Sequence, residues 1–300
     1  QGIALPDEGL YYENPRGFKD IGDWRRDNVN LLIRDLHQLV QRVKPWVKFG
    51  ISPFGIYRNN TKMTNDKWGS ATRGTQNYDD LYADVVLWQK KGWVDYLLPQ
   101  IYWNVGTKAA DYDVLCSWWN DYCHERPLFI GQDVERTVEG KDPLDSSKNQ
   151  MEMKYRIQRS LKHIQGSCQW YAAAVCNNKG GYADALRDNY HRYPALQPLM
   201  TFIDKKAPKR VRKARIVSTP QGAAPQWDAR KARKEFDKAV RFVVYDFRAG
   251  EKINLNDATH IKAVTRQHEF LLRGAYAGHT LVVTALDRLH NESKPVKIKL

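Results

Sequence analysis

Residues 91–104 read Lys-Gly-Trp-Val-Asp-Tyr-Leu-Leu-Pro-Gln-Ile-Tyr-Trp-Asn. Val94 to Tyr102 is a short apolar run between turn residues, rich in β-branched and aromatic side chains, and it reads as a buried strand. Upstream of it, Tyr78-Asp79-Asp80 leads into Leu81 to Trp88, apolar at helical spacing, and Gly92 supplies a C-terminal stop. The unit is helix, glycine stop, buried strand, then a sudden polar-aromatic cluster of Gln100, Tyr102, Trp103 and Asn104. In parallel α/β proteins, ligands are met at the C-terminal ends of strands. The cluster is therefore a candidate rim for a ligand that stacks on rings. The competing reading makes Tyr102 and Trp103 core aromatics.

The same helix-strand pattern extends outward from this stretch. Residues 1–22 read as an irregular loop. Asp23 caps a helix running to Val43, with Val29, Leu32, Ile33, Leu36, Leu39, Val40 and Val43 on one face, and Lys44-Pro45 ends it. Val47 to Ile51 reads as a buried strand, followed by Ser52 to Asn59 and a long polar loop to Asn77. Beyond the central unit, Asp111 to Tyr122 is helical and Leu128 to Ile130 is a strand ending in Gly131-Gln132-Asp133-Val134-Glu135-Arg136. Asn149 to Ile164 is an amphipathic helix, Trp170 to Val175 a strand, and Tyr182 to Tyr190 a last helix. Four such repeats make half of a (β/α)8 barrel, or a small open α/β sheet. From about residue 207 the pattern changes to short strands at 242–245, 261–264 and 281–285, as in a β-sandwich with Trp227 and Tyr276 in its core. The expected boundary separates residues 1–203 from residues 204–300.

Composition narrows the function classes. Ten Trp and sixteen Tyr in 300 residues are a heavy aromatic load, of the kind that stacks on the apolar faces of sugars. No run of eighteen apolar residues exists, so no transmembrane helix is expected. The first residues lack the pattern of a signal peptide, so any leader is expected to lie outside this sequence. Net charge is +14, and it is unevenly spread. Residues 204–300 hold 22 Lys and Arg against 10 Asp and Glu, or +12, leaving +2 for residues 1–203. Lys205 to Arg215 alone carries seven basic residues in eleven. Such a tract can bind nucleic acid, an anionic envelope polymer or a membrane surface, or can be a solvated linker. No zinc spacing or helix-turn-helix pattern accompanies it, so nucleic acid is not the expected partner. The four cysteines, Cys116, Cys123, Cys168 and Cys176, match no metal site or disulfide framework and read as buried free thiols. No cofactor or metal is expected.

Four ordered motifs carry a family resemblance: Asp23-Trp24-Arg25-Arg26-Asp27-Asn28-Val29-Asn30, Lys48 to Gly55, Tyr78 to Asp84, and Pro99-Gln100-Ile101-Tyr102-Trp103. They resemble the glycosyl hydrolase-like 10 family, bacterial envelope proteins with a TIM-type barrel. Val283 to Arg288 and Asn291-Glu292-Ser293 resemble the fibronectin type III-like domain that follows the barrel in Bacteroidetes-type members. The resemblance implies a periplasmic or outer-membrane, envelope-associated glycoside hydrolase, with peptidoglycan glycan strands as the substrate. It also implies about four further βα units before Asp23, since a full barrel needs about 250 residues. Those units would include an Asp-Asp-Tyr-Phe-Tyr-Pro type motif holding a catalytic carboxylate, which this sequence lacks. The expectation is a carboxyl-terminal portion of such a protein, or a half-barrel completed by another chain, with an exposed edge that favours self-association.

Glycoside hydrolysis needs an acid to protonate the leaving oxygen and a second carboxylate beside it. Asp133 and Glu135 are the carboxylates best placed at a strand end, and the competing reading makes them ordinary loop acids paired with Arg136 or Arg73. Asn104 can orient a hydroxyl or acetamido group but cannot transfer a proton. Arg58 can form a bidentate pair with the lactyl carboxylate of muramic acid, or an internal salt bridge. Gln100, Tyr102, Trp103 and Trp170 complete the candidate binding residues, with Trp170 open to either a core or a platform role. The alternative function is a non-catalytic carbohydrate-binding protein of the same family.

Overall fold

A computed structural model of the chain describes residues 5–60, 68–274 and 276–300. The polar loop expected between residues 60 and 77 lies partly outside them. The chain divides into two compact units, one ending at Leu186 and the other spanning Arg187–Leu300.

The first unit is mixed α/β. After a short helix α1 (Glu8–Glu13), α2 (Ile21–Val43) precedes strand β1 (Gly50–Ile51). Helices α3 (Asn77–Asp80) and α4 (Val85–Lys90) lead to β2 (Tyr96–Leu97), and α5 (Tyr112–Tyr122) leads to β3 (Leu128–Asp133). Then α6 (Val134–Glu139) and α7 (Met151–Ser160) precede β4 (Ile164–Trp170), with α8 (Ala172–Cys176) and α9 (Tyr182–Ala185) after it. The strands form a parallel sheet in sequential order, β1-β2-β3-β4. That arrangement is consistent with part of a (β/α)8 barrel.

The core lies between sheet and helices. Leu97, Leu128 and Ile130 from the strands, with Ile101 beyond β2, meet Val85, Trp88, Tyr112, Leu115 and Trp119 from the helices. Trp119 is fully buried, and its indole donates to the Gly55 carbonyl at 2.7 Å, which ties α5 to the end of β1. One face of α2 stays open. Ile33 is buried, but Leu32, Leu36, Leu39 and Val43 form an exposed apolar stripe.

Several elements differ from the sequence expectations. The α2 cap is Asp20, whose side chain accepts from the Asp23 amide. The helix expected over 79–90 is broken between α3 and α4, where Tyr82 adopts a left-handed conformation at φ 53° and Asp84 recaps the chain. The strand expected at Trp170–Val175 is instead β4 ending at Trp170, followed by α8. Cys116 and Cys123 are buried free thiols, pushed up by burial, whereas Cys168 and Cys176 are exposed.

The second unit is built on antiparallel strands. Strands β5 (Arg212–Thr219) and β6 (Gly222–Asp228) form a hairpin. Strands β7 (Arg241–Phe247), β8 (Ile261–Thr265), β9 (Thr280–Leu286) and β10 (Val296–Lys299) form a sheet in the order β10-β9-β7-β8. Both faces of β7 are covered: Phe242 and Val244 pack with Trp227 and Val283, while Val243, Tyr245 and Phe247 pack with Ile261, Val282 and Leu286. Trp227 is a core residue as expected, but Tyr276 is only half-buried, edge-on to His279. The hairpin absorbs the carboxyl end of the basic tract, with Val211 buried beside it, so the tract is not wholly a solvated linker.

Candidate functional site

The ends of β1 and β2 lie level with the start of β3, and the sheet's pairing continues past them through bridges from Phe54 to Gln100 and from Gln100 to Gly131, toward the ends of β3 and β4. Strand alternation then sorts the side chains of β3. Leu128, Ile130 and Gln132 are buried toward the helices, and Asp133 follows on the other face. Asp133 pairs in register with Trp170 of β4, and Gln132 with Gln169. Gly131 permits a close approach here, because a Cβ would sit 2.9 Å from the Pro99 carbonyl oxygen.

Trp170 is 56% exposed and stacks on Tyr102, with ring centroids 6.1 Å apart and planes inclined by 18°. Burial pushes the Tyr102 phenol up, and the neighbouring Cys168 and Asp133 add to that. Tyr171, after Trp170, turns its hydroxyl to Glu135 Oε1 at 3.3 Å. Asp133 is the N-cap of α6: Oδ1 accepts from the Arg136 amide at 2.9 Å, and Oδ2 lies 3.8 Å from the Arg136 guanidinium. The strand ends thus bring together Tyr102, Asp133, Glu135, Trp170 and Tyr171, a cluster of stacked and edge-on rings beside two carboxylates.

The other expected residues have different surroundings. Gln100 points its amide at the Ser52 carbonyl, 3.0 Å away, and cross-links β1 to β2. Trp103 packs on the core and lies over Gly55, where a Cβ would meet its ring at 2.7 Å. Asn104 has a buried side-chain oxygen with no hydrogen-bond donor among the described residues. Arg58 forms a two-pronged pair with Asp79, at 2.8 and 3.3 Å, and stacks over the Tyr78 ring. It lines a cavity of about 270 Å³ with Tyr57, Tyr78, Asp84 and Lys90. Its geometry is that of an internal ion pair.

Beneath Asp133 and Trp170 lies a buried polar network absent from the sequence reading. Tyr112 donates to Gln132 Oε1 at 2.9 Å, and Gln158 donates to both Tyr112 and Gln132. The Gln132 amide donates to Tyr182 at 2.7 Å, Tyr182 donates to Gln169, and the Gln169 amide donates to Tyr155 at 3.2 Å. The network fixes the ends of β3 and β4 against each other, one residue before Asp133 and Trp170. Lys154 is buried nearby, donating to Thr137 Oγ1 at 3.0 Å with its ammonium 4.8 Å from the Tyr112 ring centroid. Burial pulls this ammonium down to about 7, against the charge of Asp133, which favours the protonated form. A signal existed in the sequence: Lys154 and Gln158 fall at helical spacing on the face that carries Met151 and Tyr155.

Among the described residues, no group of three or more His, Cys, Asp and Glu side chains could hold a metal ion, and no helix is long and apolar enough to cross a membrane. Residues 2–146 match the family described as Glycosyl hydrolase-like 10. The chain is 36% identical over 302 residues to Glycosyl hydrolase YngK of Bacillus subtilis (strain 168), an alignment covering 99% of this chain and 58% of that protein. It is 42% identical over 120 residues to Glycosyl hydrolase DigH of Escherichia coli (strain K12), covering 40% of this chain and 27% of that protein, with the same figures for DigH of Shigella flexneri. The chain therefore spans little more than half of one relative and about a quarter of the others. Over residues 2–146 the chain is thus similar to the glycosyl hydrolase-like 10 family, and its likeness to YngK runs on through nearly all of the remaining sequence.

Proposed function

We propose that this chain forms part of a glycoside hydrolase acting on bacterial cell-envelope glycan, with peptidoglycan glycan strands as the substrate. The observation that carries the reading is the register of Asp133 with Trp170 at the strand ends, with Tyr102 stacked on Trp170. A pyranose laid on the exposed Trp170 face would be held by ring stacking, with its glycosidic oxygen within the region of Asp133 and Glu135. These two carboxylates supply the proton transfer that hydrolysis requires. Asp133 is anchored by its own helix turn, and Glu135 is oriented by the Tyr171 hydroxyl.

In this reading the parallel sheet is the later half of a (β/α)8 barrel, and the second unit is a fibronectin type III-like domain resembling that of Bacteroidetes-type members. The protein works in the periplasm or at the outer membrane, where its glycan is found. The open α2 stripe and the β4 edge associate with a second copy when nothing else covers them. A non-catalytic glycan-binding role is favoured by one observation: both oxygens of Asp133 already face Arg136.

The test is turnover of purified, peptide-free peptidoglycan glycan by the full chain. Release of reducing ends that Asp133→Asn abolishes supports the hydrolase. Retained binding without release, lost in Trp170→Ala, supports the binding role instead. Absence of both removes the site from consideration.

A further inference from the structure

The second unit carries a charged cavity that the glycan reading does not use. The hairpin β5–β6 pairs Arg212 with Asp228, so the chain entering β5 and the chain leaving β6 lie at the same end. Two basic runs are thereby joined: Lys205-Lys206-Ala207-Pro208-Lys209-Arg210 before the hairpin, and Arg230-Lys231-Ala232-Arg233-Lys234 after it. In sequence they are some twenty residues apart, and only the fold shows them as one feature.

Between the runs is a cavity of about 390 Å³ lined by Lys206, Lys209, Lys231, Arg233, Lys234 and Asp237, with two alanines completing it. Five cations face one carboxylate, and that carboxylate is occupied: Asp237 accepts from Lys206 at 2.7 Å. Gathering four uncompensated positive charges in one concavity is unfavourable through self-repulsion, and an anion entering it relieves that cost. The Lys206 hydrogen bond, with the charges of Lys206, Lys234 and Lys209, holds the Asp237 carboxyl below its usual range, which places these cations within electrostatic reach of one another.

The chemistry of the lining narrows the ligand. Four of the five cations are lysines, compact point charges suited to phosphate oxygens and less to the planar fork recognition of carboxylates. No aromatic side chain lines the cavity. Single-stranded nucleic acid is held by stacking its bases on aromatic rings as well as by charge, so this surface lacks half of that apparatus. The volume lies at the small end of ligand pockets and suits a few phosphate groups of a chain, not a broad groove for a duplex. We propose that this cavity binds the phosphate groups of a base-free polyanion, independently of the glycan site in the first unit.

The probe is short-chain inorganic polyphosphate, titrated into the full chain by calorimetry at low and moderate salt. The decisive variant is Lys209→Gln/Lys231→Gln/Lys234→Gln. Its control is Arg266→Gln/Lys297→Gln/Lys299→Gln, which removes the same charge from exposed positions elsewhere in the unit. Thermal unfolding of both variants verifies that they remain folded. Polyphosphate binding should fall roughly tenfold or more in the cavity variant and by less than about twofold in the control, with affinity dropping steeply as salt rises. A single-stranded oligonucleotide with the same number of phosphates should bind at least about tenfold more weakly than polyphosphate. Equal losses in the two variants would reduce the effect to overall charge and overturn the site. An oligonucleotide binding as tightly as polyphosphate would overturn the ligand class, and absence of polyphosphate binding would overturn both.

Discussion

At the scale of single residues, Lys154 is the group whose burial has the most measurable consequence. Its ammonium sits at about 7 in the fold against an ordinary value of 10.5. Between those values the unfolded chain holds a proton that the folded chain has shed, so folding stability must rise with pH across that window. Below about pH 7 both states are protonated and the cost of burying the charge is complete; above about 10.5 both are neutral and the cost is gone. The slope approaches about 1.4 kcal/mol per pH unit, and urea midpoints measured from neutral to mildly alkaline pH read it directly. Lys154→Met should flatten that slope and leave the protein no less stable at neutral pH, because Thr137 keeps its own hydrogen bond to the Asp133 carbonyl. An unchanged slope in the variant would place the titrating group elsewhere. The rings of the site give a second expectation. Trp170→Ala should weaken glycan binding roughly tenfold by removing the exposed face, while Trp170→Phe should recover part of it, since a ring stacked on Tyr102 remains.

At the scale of elements, Asp133 serves both the candidate chemistry and the start of α6, and the two roles are separable. Asparagine caps a helix about as well as aspartate, whereas alanine costs about 1 kcal/mol. Asp133→Asn should therefore abolish glycan turnover with an unchanged thermal midpoint, and Asp133→Ala should lose turnover and also unfold at a lower temperature. A fully active Asp133→Asn protein would leave Asp133 as a cap alone. The elements around it also show what was readable in the sequence. The repeat of helix and strand was plain around β2 and β3, where Leu97, Leu128 and Ile130 are buried apolar residues. In β4 it was hidden, because Gln165, Ser167 and Gln169 interrupt the apolar pattern and Gln169 is satisfied by the Tyr155 and Tyr182 network. The strand reading then slid onto Trp170–Val175, where Ala172-Ala173-Ala174 is strong helix-forming sequence. That slip is why Trp170 could be read as core ahead of platform; as the last residue of β4 it is exposed. The break at Leu81–Asp84 was hidden for the opposite reason, since apolar spacing runs straight through it and only the Asp84 cap marks the restart.

At the scale of the whole molecule, the sequence showed the division into an α/β part and a β part, and it showed the charge imbalance. It did not show that two basic runs share one cavity, because nothing local relates residues on either side of a hairpin. Nor did it distinguish a covered helix from an open one: the α2 stripe of Leu32, Leu36, Leu39 and Val43 has the spacing of a buried face and is exposed. An exposed apolar stripe beside β1, and a seven-residue strand at the other end of the sheet, are both surfaces that associate when left uncovered. The +14 charge opposes that association, since copies repel each other through solvent. The balance should shift with ionic strength. Raising salt from about 50 mM to about 500 mM shortens the screening length from roughly 14 Å to roughly 4 Å, which weakens the repulsion and leaves the apolar contact intact. Sedimentation velocity should then show a larger weight-average species at high salt, the reverse of the salt response of polyanion binding in the second unit. Leu36→Lys/Leu39→Lys places two charges in the stripe and should hold the protein monomeric at both salts. A variant that still associates would move the contact from α2 to the β4 edge, and a wild-type chain that stays monomeric throughout would show that neither surface is adhesive.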